Sequence, residues 1–351
     1  MRIRDKDYFL PICGVGSWPR PRWMSGKVFG NVNEPDYRDY DIREKFEDAT
    51  RIAIDDQERL GFDIISDGQQ YYEAGTPFDY EVGFHHFPNR IAGTVPYGPN
   101  IPVFVTKMST VTVVDELKWV RPIYGPVMEV VKRYSGDKPV KMNNWSPAVL
   151  ANVALTDKFY GDPEKLAFAL AEVYNTEFKD LVSRGLVDII QFSDAVPDYV
   201  STPWIHDVIN ACIDGVDAQI WCHACQGNAG DRFLLEGGAD MLFPDIFNVK
   251  MDLLHLALAH QLRAPDIQLL RKFEFPEGVY FGAGVVDVKD PTPEKVEVVV
   301  ERIERVLEIV DPNNVVLMAD CGWMNRRRDT VWDKNAVLAE AANQVRAKLQ
   351  G

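Results

Sequence analysis

The chain has 351 residues, 46% of them hydrophobic, and 53 acidic against 38 basic side chains give it a formal net charge of −15. That length supports a large core, and a single barrel of this size is ordinary. The acidic balance argues against nucleic acid or an anionic membrane as partner, and no apolar stretch reaches the ~18 residues of a membrane span.

Met1 to Asp7 is charged and no apolar run follows it, so no secretory signal is read and a cytoplasmic location is expected. In chain order, apolar strand-like runs fall at 10–15, 62–66, 140–143, 188–192, 218–222, 251–256, 279–281 and 315–318. Between them lie amphipathic stretches at 42–60, 163–184, 291–310 and 332–349. Repeated strand–helix units predict a parallel sheet with crossovers, and about eight strands favour a closed (β/α)8 TIM barrel over an open sheet. Residues 71–117 break the pattern. They are rich in aromatics, Pro and Gly, and read as a β-hairpin excursion after the second strand, where it would build the active-site mouth. One domain over 1–351 is expected.

The chemistry-bearing residues begin with Gly14, Gly16 and Ser17, which could let backbone and hydroxyl approach a ligand; a plain strand-to-loop turn is the alternative. Trp18, Trp23, Tyr71, Tyr72, Trp145, Trp204 and Trp323 lie near strand ends, some as core and a subset as candidates for an apolar mouth. His223-Ala224-Cys225 continues an apolar run, and alternation points His223 and Cys225 to one face. Cys222 points the other way, as a packed thiol. Cys321, in Ala319-Asp320-Cys321-Gly322, ends another run and could complete three ligands of a zinc site with an open fourth position. Five cysteines in a chain of this length form no disulfide framework, so the thiols are expected reduced. Arg326-Arg327-Arg328 is by default a solvated charge run; its functional reading is a clamp for a carboxylate, sulfonate or phosphate.

Three segments carry a resemblance: His223-Ala-Cys225-Gln-Gly-Asn228, Gly282-Ala-Gly-Val-Val-Asp287 and Ala319-Asp-Cys-Gly322. The chain resembles the catalytic barrel of cobalamin-independent methionine synthase, most closely its short single-barrel relatives. Gly14-Val-Gly-Ser-Trp-Pro19 resembles that family's substrate loop, and Asn144-Trp145-Ser146 the segment whose tryptophan faces the folate. Gln191-Phe-Ser-Asp194 sits where the family carries Gln-x-Asp-Glu-Pro. The resemblance implies a zinc ion, a small-molecule thiol acceptor and an alkyl donor of the methyl-folate type. It places Gly16, Ser17, Gln69, Trp145, Ser193 and Asp194 at the substrates.

The departures are specific. The family's further glutamate ligand aligns with Ala257, which cannot bind metal. His255, two residues earlier on the same strand face, could supply an imidazole instead, or could be a core histidine. Gln69 and Ser193 stand where methionine synthases hold the homocysteine ammonium with acids; Asp67 or Asp194 could substitute only with a register shift. Lys289 replaces a histidine near the donor, so Lys289 or Asp287 is expected to handle protons. The reading is therefore zinc-dependent methyl or alkyl transfer to a thiol with altered specificity. The alternatives are a lyase using a coenzyme M-like thiol, a metal-free barrel related to uroporphyrinogen decarboxylase, and a zinc- or ligand-binding protein without turnover. An oligomer is left open.

Overall fold

A computed structural model describes residues 1–23, 40–70, 86–95, 100–103, 106–227, 238–323 and 326–351. Strands β1 (Arg2–Ile3) and β2 (Lys6–Asp7) form a small antiparallel pair. After β3 (Ile65–Ser66) come β4 (Ala92–Val95), β5 (Asn100–Val103), β6 (Thr106–Ser109) and β7 (Val111–Lys118). Then follow β8 (Val140–Asn144), β9 (Leu155–Asp157), β10 (Ile189–Phe192), β11 (Gln219–His223), β12 (Leu253–Ala257), β13 (Tyr280–Val286) and β14 (Val315–Ala319).

Seven of these make one curled, all-parallel sheet in the order β3-β8-β10-β11-β12-β13-β14. Residues 12 and 13 touch both of its edges. Ile12 bridges Leu317 of β14 and Cys13 bridges Ile64 beside β3, both in parallel sense. The expected strand at 10–15 is thus reduced to two bridges. Leu10 has a positive φ of 47°, and Pro11 has no N–H for a ladder.

Strand alternation divides the interior into two cores. Ile64, Ile189, Trp221, Leu253, Val316 and Met318 point inward and, with Met1 and Ile3 from the β1–β2 pair, form one buried cluster. Their outward neighbours Ile190, Cys222, Leu254 and Leu317 join a larger cluster under the helices. One step towards the carboxyl ends, the inward positions turn polar: Lys141, Asn143, Gln191, His223 and His255 are all buried. The apolar layer holds the sheet together, and the polar layer above it is available for chemistry.

The helices Tyr40–Arg59, Pro163–Ser183, Val296–Leu307 and Arg328–Gln350 occupy the amphipathic stretches. The third starts later than its hydrophobic pattern, because Pro291 and Pro293 keep the residues before them out of helical geometry. No described helix is long and apolar enough to cross a membrane. In the excursion β5 and β6 pair antiparallel, while β4 pairs antiparallel with β7, which also takes β9 as a parallel neighbour. Residues 71–85, with Tyr71 and Tyr72, lie outside the described residues.

Candidate metal centre

His223 is the last residue of β11, and its ring points inward as the alternation requires. Cys225 follows two residues later. Its backbone bridges Ala195 beyond β10, and its N–H donates to the Asp194 carbonyl at 2.9 Å. Cys321 stands two residues past the end of β14. The ligand atoms of these three residues lie within 4.8 Å of one another. The sulfurs of Cys225 and Cys321 are 3.8 Å apart, and Cys321 Sγ is 3.6 Å from His223 Nε2. Tetrahedral coordination with Zn–S of ~2.3 Å and Zn–N of ~2.05 Å has sulfur–sulfur and sulfur–nitrogen edges of about 3.8 and 3.6 Å. These two edges and the softness of the donors therefore fit zinc. His223 is buried, while both cysteines are half-buried, which leaves one side of the cluster approachable.

His255 stands behind His223, not beside the sulfurs. Registry pairs the two residues across β11 and β12. His255 Nε2 is 3.0 Å from the Ala319 carbonyl, which only accepts, so that nitrogen carries the proton. Burial holds the ring neutral, with its pKa well below the usual histidine range. Its Nδ1 must then accept, and at 2.7 Å the donor is His223 Nδ1–H. The His223 Nε2 lone pair is left facing Cys321. The His255 imidazole, read from the sequence as a candidate ligand, thus has both nitrogens engaged and lies outside the three-donor group. Gly282 of β13 permits this packing: a Cβ there would come within 2.9 Å of the His255 Cβ.

Electrostatics favour an ionised sulfur. The hydrogen bond between the Cys225 and Cys321 sulfurs, with the Lys289 charge, holds the Cys321 thiol well below its ordinary pKa. Lys289 is buried on the loop after β13, where its backbone N–H donates to Asp287 Oδ1 at 2.7 Å. Asp320 turns away from the sulfurs. Its oxygens accept from the N–H groups of Leu258, Ala259 and His260 at 2.9–3.0 Å, tying the loop after β12 to that after β14.

The expected substrate residues fall mostly into one neighbouring cluster. A Cβ on Gly16 would lie 3.1 Å from Asn143 Nδ2 and 3.4 Å from Gln69 Oε1, so this loop crosses close over both. Ser193 Oγ donates to Asn143 Oδ1, and Gln191 Nε2 donates to Ser193 Oγ at 3.0 Å. The Ser17 carbonyl accepts from Trp323 N–H at 2.8 Å, which joins this cluster to the Cys321 loop. Asp194 is turned aside: Oδ1 accepts from Ser146 N–H at 2.8 Å, and burial raises its pKa to about 7. Trp145 lies half-buried between them in sequence, after Asn144, whose carbonyl accepts from Ser193 N–H at 3.0 Å.

Sequence reasoning missed Lys141 and Asn143. Lys141 is fully buried, and its Nζ donates to the Gly14 and Val15 carbonyls at 2.5 and 2.8 Å and to Gln191 Oε1 at 2.5 Å. The signal was available: polar residues alternate through an otherwise apolar strand. Of the aromatics, Trp18 and Trp323 are core, whereas Trp23 is 41% exposed. Asn228, the end of the His-x-Cys segment, lies outside the described residues.

Comparison with known proteins finds relatives that span the chain. The family described as cobalamin-independent synthase, catalytic domain, matches residues 162–344. The 2-hydroxypropyl-CoM lyase of Xanthobacter autotrophicus is 28% identical, over 99% of this chain and 98% of its own. The methionine synthase of Pyrococcus horikoshii is 27% identical, over 97% of this chain and 94% of its own. In structure, a B12-independent methionine synthase from a Shewanella species, in complex with selenomethionine, superposes with a TM-score of 0.82 at 23% identity. That match covers 98% of this chain and 99% of that one, and establishes the shared fold.

Proposed function

The chain belongs to the cobalamin-independent synthase catalytic-domain family, and from that premise we propose that it transfers a methyl or other alkyl group to the sulfur of a small-molecule thiol, with zinc as cofactor. The observation that carries the proposal is the meeting of His223, Cys225 and Cys321 within 4.8 Å, with the two Cys321 separations matching edges of a tetrahedral zinc site. When bound, zinc would lower the pKa of an acceptor thiol and make it a nucleophile near neutral pH. The chain's own residues would hold the substrates. The Gly16–Ser17 loop, Gln69 and Ser193 offer a neutral, hydrogen-bonding surface beside the centre. Trp145 is our candidate for the face of a methyl-folate-type donor, and Lys289 or Asp287 for holding or moving a proton. We read residues 10–15 as the eighth strand of a closed (β/α)8 barrel, residues 71–117 as its inserted excursion, and the reduced thiols as fitting a cytoplasmic location.

A second reading is favoured by the 2-hydroxypropyl-CoM lyase relative: the same centre would serve a lyase acting on a coenzyme M-like thioether. Both readings predict that homocysteine is a poor acceptor. A charge-assisted hydrogen bond contributes roughly 1.5–3 kcal/mol. Replacing two acids by Gln69 and Ser193 therefore weakens ammonium binding on the order of a hundredfold or more. The test is kcat/KM for homocysteine beside thiols without an amine, with one alkyl donor. Amine-free thiols should serve at least as well. Preference for homocysteine by orders of magnitude would replace this proposal with plain methionine synthesis.

A further inference from the structure

Lys141 points into the interior of the sheet from β8, in register with Ile189 of the apolar layer. Its Nζ lies 5.4 Å over the Trp221 ring and reaches Gln191, two residues farther along β10 than Ile189. The side chain is fully buried. Three acceptors surround Nζ at 2.5–2.8 Å: the Gly14 and Val15 carbonyls and Gln191 Oε1. Three acceptors take three N–H groups, so the side chain is the ammonium. A buried charge is a costly way to fill a core, and an apolar residue of similar volume usually serves stability as well or better. What this one supplies is direction.

Lysine only donates, so Gln191 must present Oε1 to it. The Gln191 amide nitrogen is thereby turned to the Val15 carbonyl at 2.7 Å, Asn143 Oδ1 at 2.9 Å and Ser193 Oγ at 3.0 Å. Asn143 Oδ1 also accepts from the Ser193 hydroxyl. The orientations of three side chains in the expected substrate cluster thus follow from one ammonium. The same ammonium holds the loop above them, directly at Gly14 and Val15 and again at Val15 through Gln191. From there the loop crosses Asn143 and Gln69 at Gly16, and at Ser17 it meets the Cys321 loop. The Ser17 carbonyl accepts from Trp323 N–H, and a Cβ on Gly322 would come within 2.7 Å of Ser17 Oγ. A loop fixed before its ligand arrives binds more tightly than one that must be ordered on binding.

We propose that Lys141 is a positioning residue for the acceptor: it holds the Gly14–Ser17 loop and the Gln191–Asn143–Ser193 array in the arrangement that receives a thiol beside the His223–Cys225–Cys321 centre. This rests on the reading above that the thiol binds there. The test loads the protein with cobalt(II), a coloured substitute for zinc, and titrates it with 2-mercaptoethanol, 3-mercaptopropionate and homocysteine. A thiol joining the metal adds a sulfur-to-cobalt charge-transfer band, from which Kd is read. Lys141→Met removes the donors and keeps an apolar stem. Gln191→Glu keeps an acceptor for Lys141 but cannot donate to the Val15 carbonyl or to Asn143 Oδ1. Each variant should bind cobalt within twofold of wild type by chelator competition, since β11, β14 and the loops after them carry the three donors. Each should lose tenfold or more in thiol affinity. Hydrogen exchange should quicken in residues 13–18 while β11 and β14 keep their protection. A wild type with no thiol-dependent band would remove the reading on which the inference rests, and the inference with it. A band in wild type with equal thiol affinity in a folded variant would overturn the inference alone. So would cobalt affinity falling as far as thiol affinity, or faster exchange throughout the sheet, because each marks a residue that only fills the core. If Lys141→Met does not fold, Gln191→Glu decides, and failure of both to fold counts as a core role in the same way.

Discussion

At the residue scale, the Ala319 carbonyl, His255 and His223 form a relay that presents one nitrogen to the candidate metal centre. Removing His255 would free His223 Nδ1–H, and the ring could then turn or change tautomer. His255→Ala should weaken zinc binding about 10–100-fold, as loss of a ligand's orienting partner does. His255→Gln, with one acceptor and one donor on its amide, should recover part of it. Cys225→Ser and Cys321→Ser remove donors outright and should leave no stoichiometric zinc, with the circular dichroism spectrum unchanged because the apolar layer does not touch the metal. Chelator competition measures all four variants. Equal zinc affinity in wild type and His255→Ala would show that His255 is only a core residue.

At the element scale, β13 is shaped by its missing side chains. A Cβ at Gly284 would meet Asp320 Oδ1 at 2.7 Å and the Leu256 carbonyl at 2.8 Å, and one at Gly282 would press on His255. Glycine weakens a strand elsewhere, but here it lets three strands close up around the relay. Gly282→Ala and Gly284→Ala should each destabilise the metal-free protein by roughly 1–3 kcal/mol, the usual cost of overpacking. Gly282→Ala should also weaken zinc binding, since it displaces His255. Thermal melts with and without zinc check both statements, and an unchanged midpoint in either variant would contradict the close packing. The same glycines explain why this strand reads as 279–281 in the sequence but runs through Val286. Strand propensity is low for glycine, and only the contacts across β12 and β14 make its absent side chain an advantage.

At the scale of the whole molecule, buried carboxyls contribute to the pH response. Burial raises the Asp67 pKa to about 6 and that of Asp194 to about 7, against ~3.9 for a free aspartate. The folded state therefore binds these protons more tightly than the unfolded one. The stability they contribute is full below pH ~4 and is lost as pH rises through 6 to 7. The neutral, buried rings of His86 and His255 act in the opposite sense, so the test is a difference between variants. Metal-free Asp194→Asn, which keeps an acceptor for Ser146 N–H, should gain in melting temperature relative to wild type between pH 6 and pH 8. No change in that difference with pH would place the titration elsewhere. The sequence by itself determined the alternation of strands and helices, the inward pairing of His223 with Cys225 and the outward turn of Cys222, because side-chain periodicity is a local property of the backbone. Only the tertiary structure decided that Cys321, 98 residues from His223, meets it within 3.6 Å. Only it decided that His255 backs the ligand and that Lys141 and Asn143 form the floor under the Gly16 loop. Each of these depends on curling a parallel sheet until strands distant in sequence share an interior, and no window along the chain records that distance.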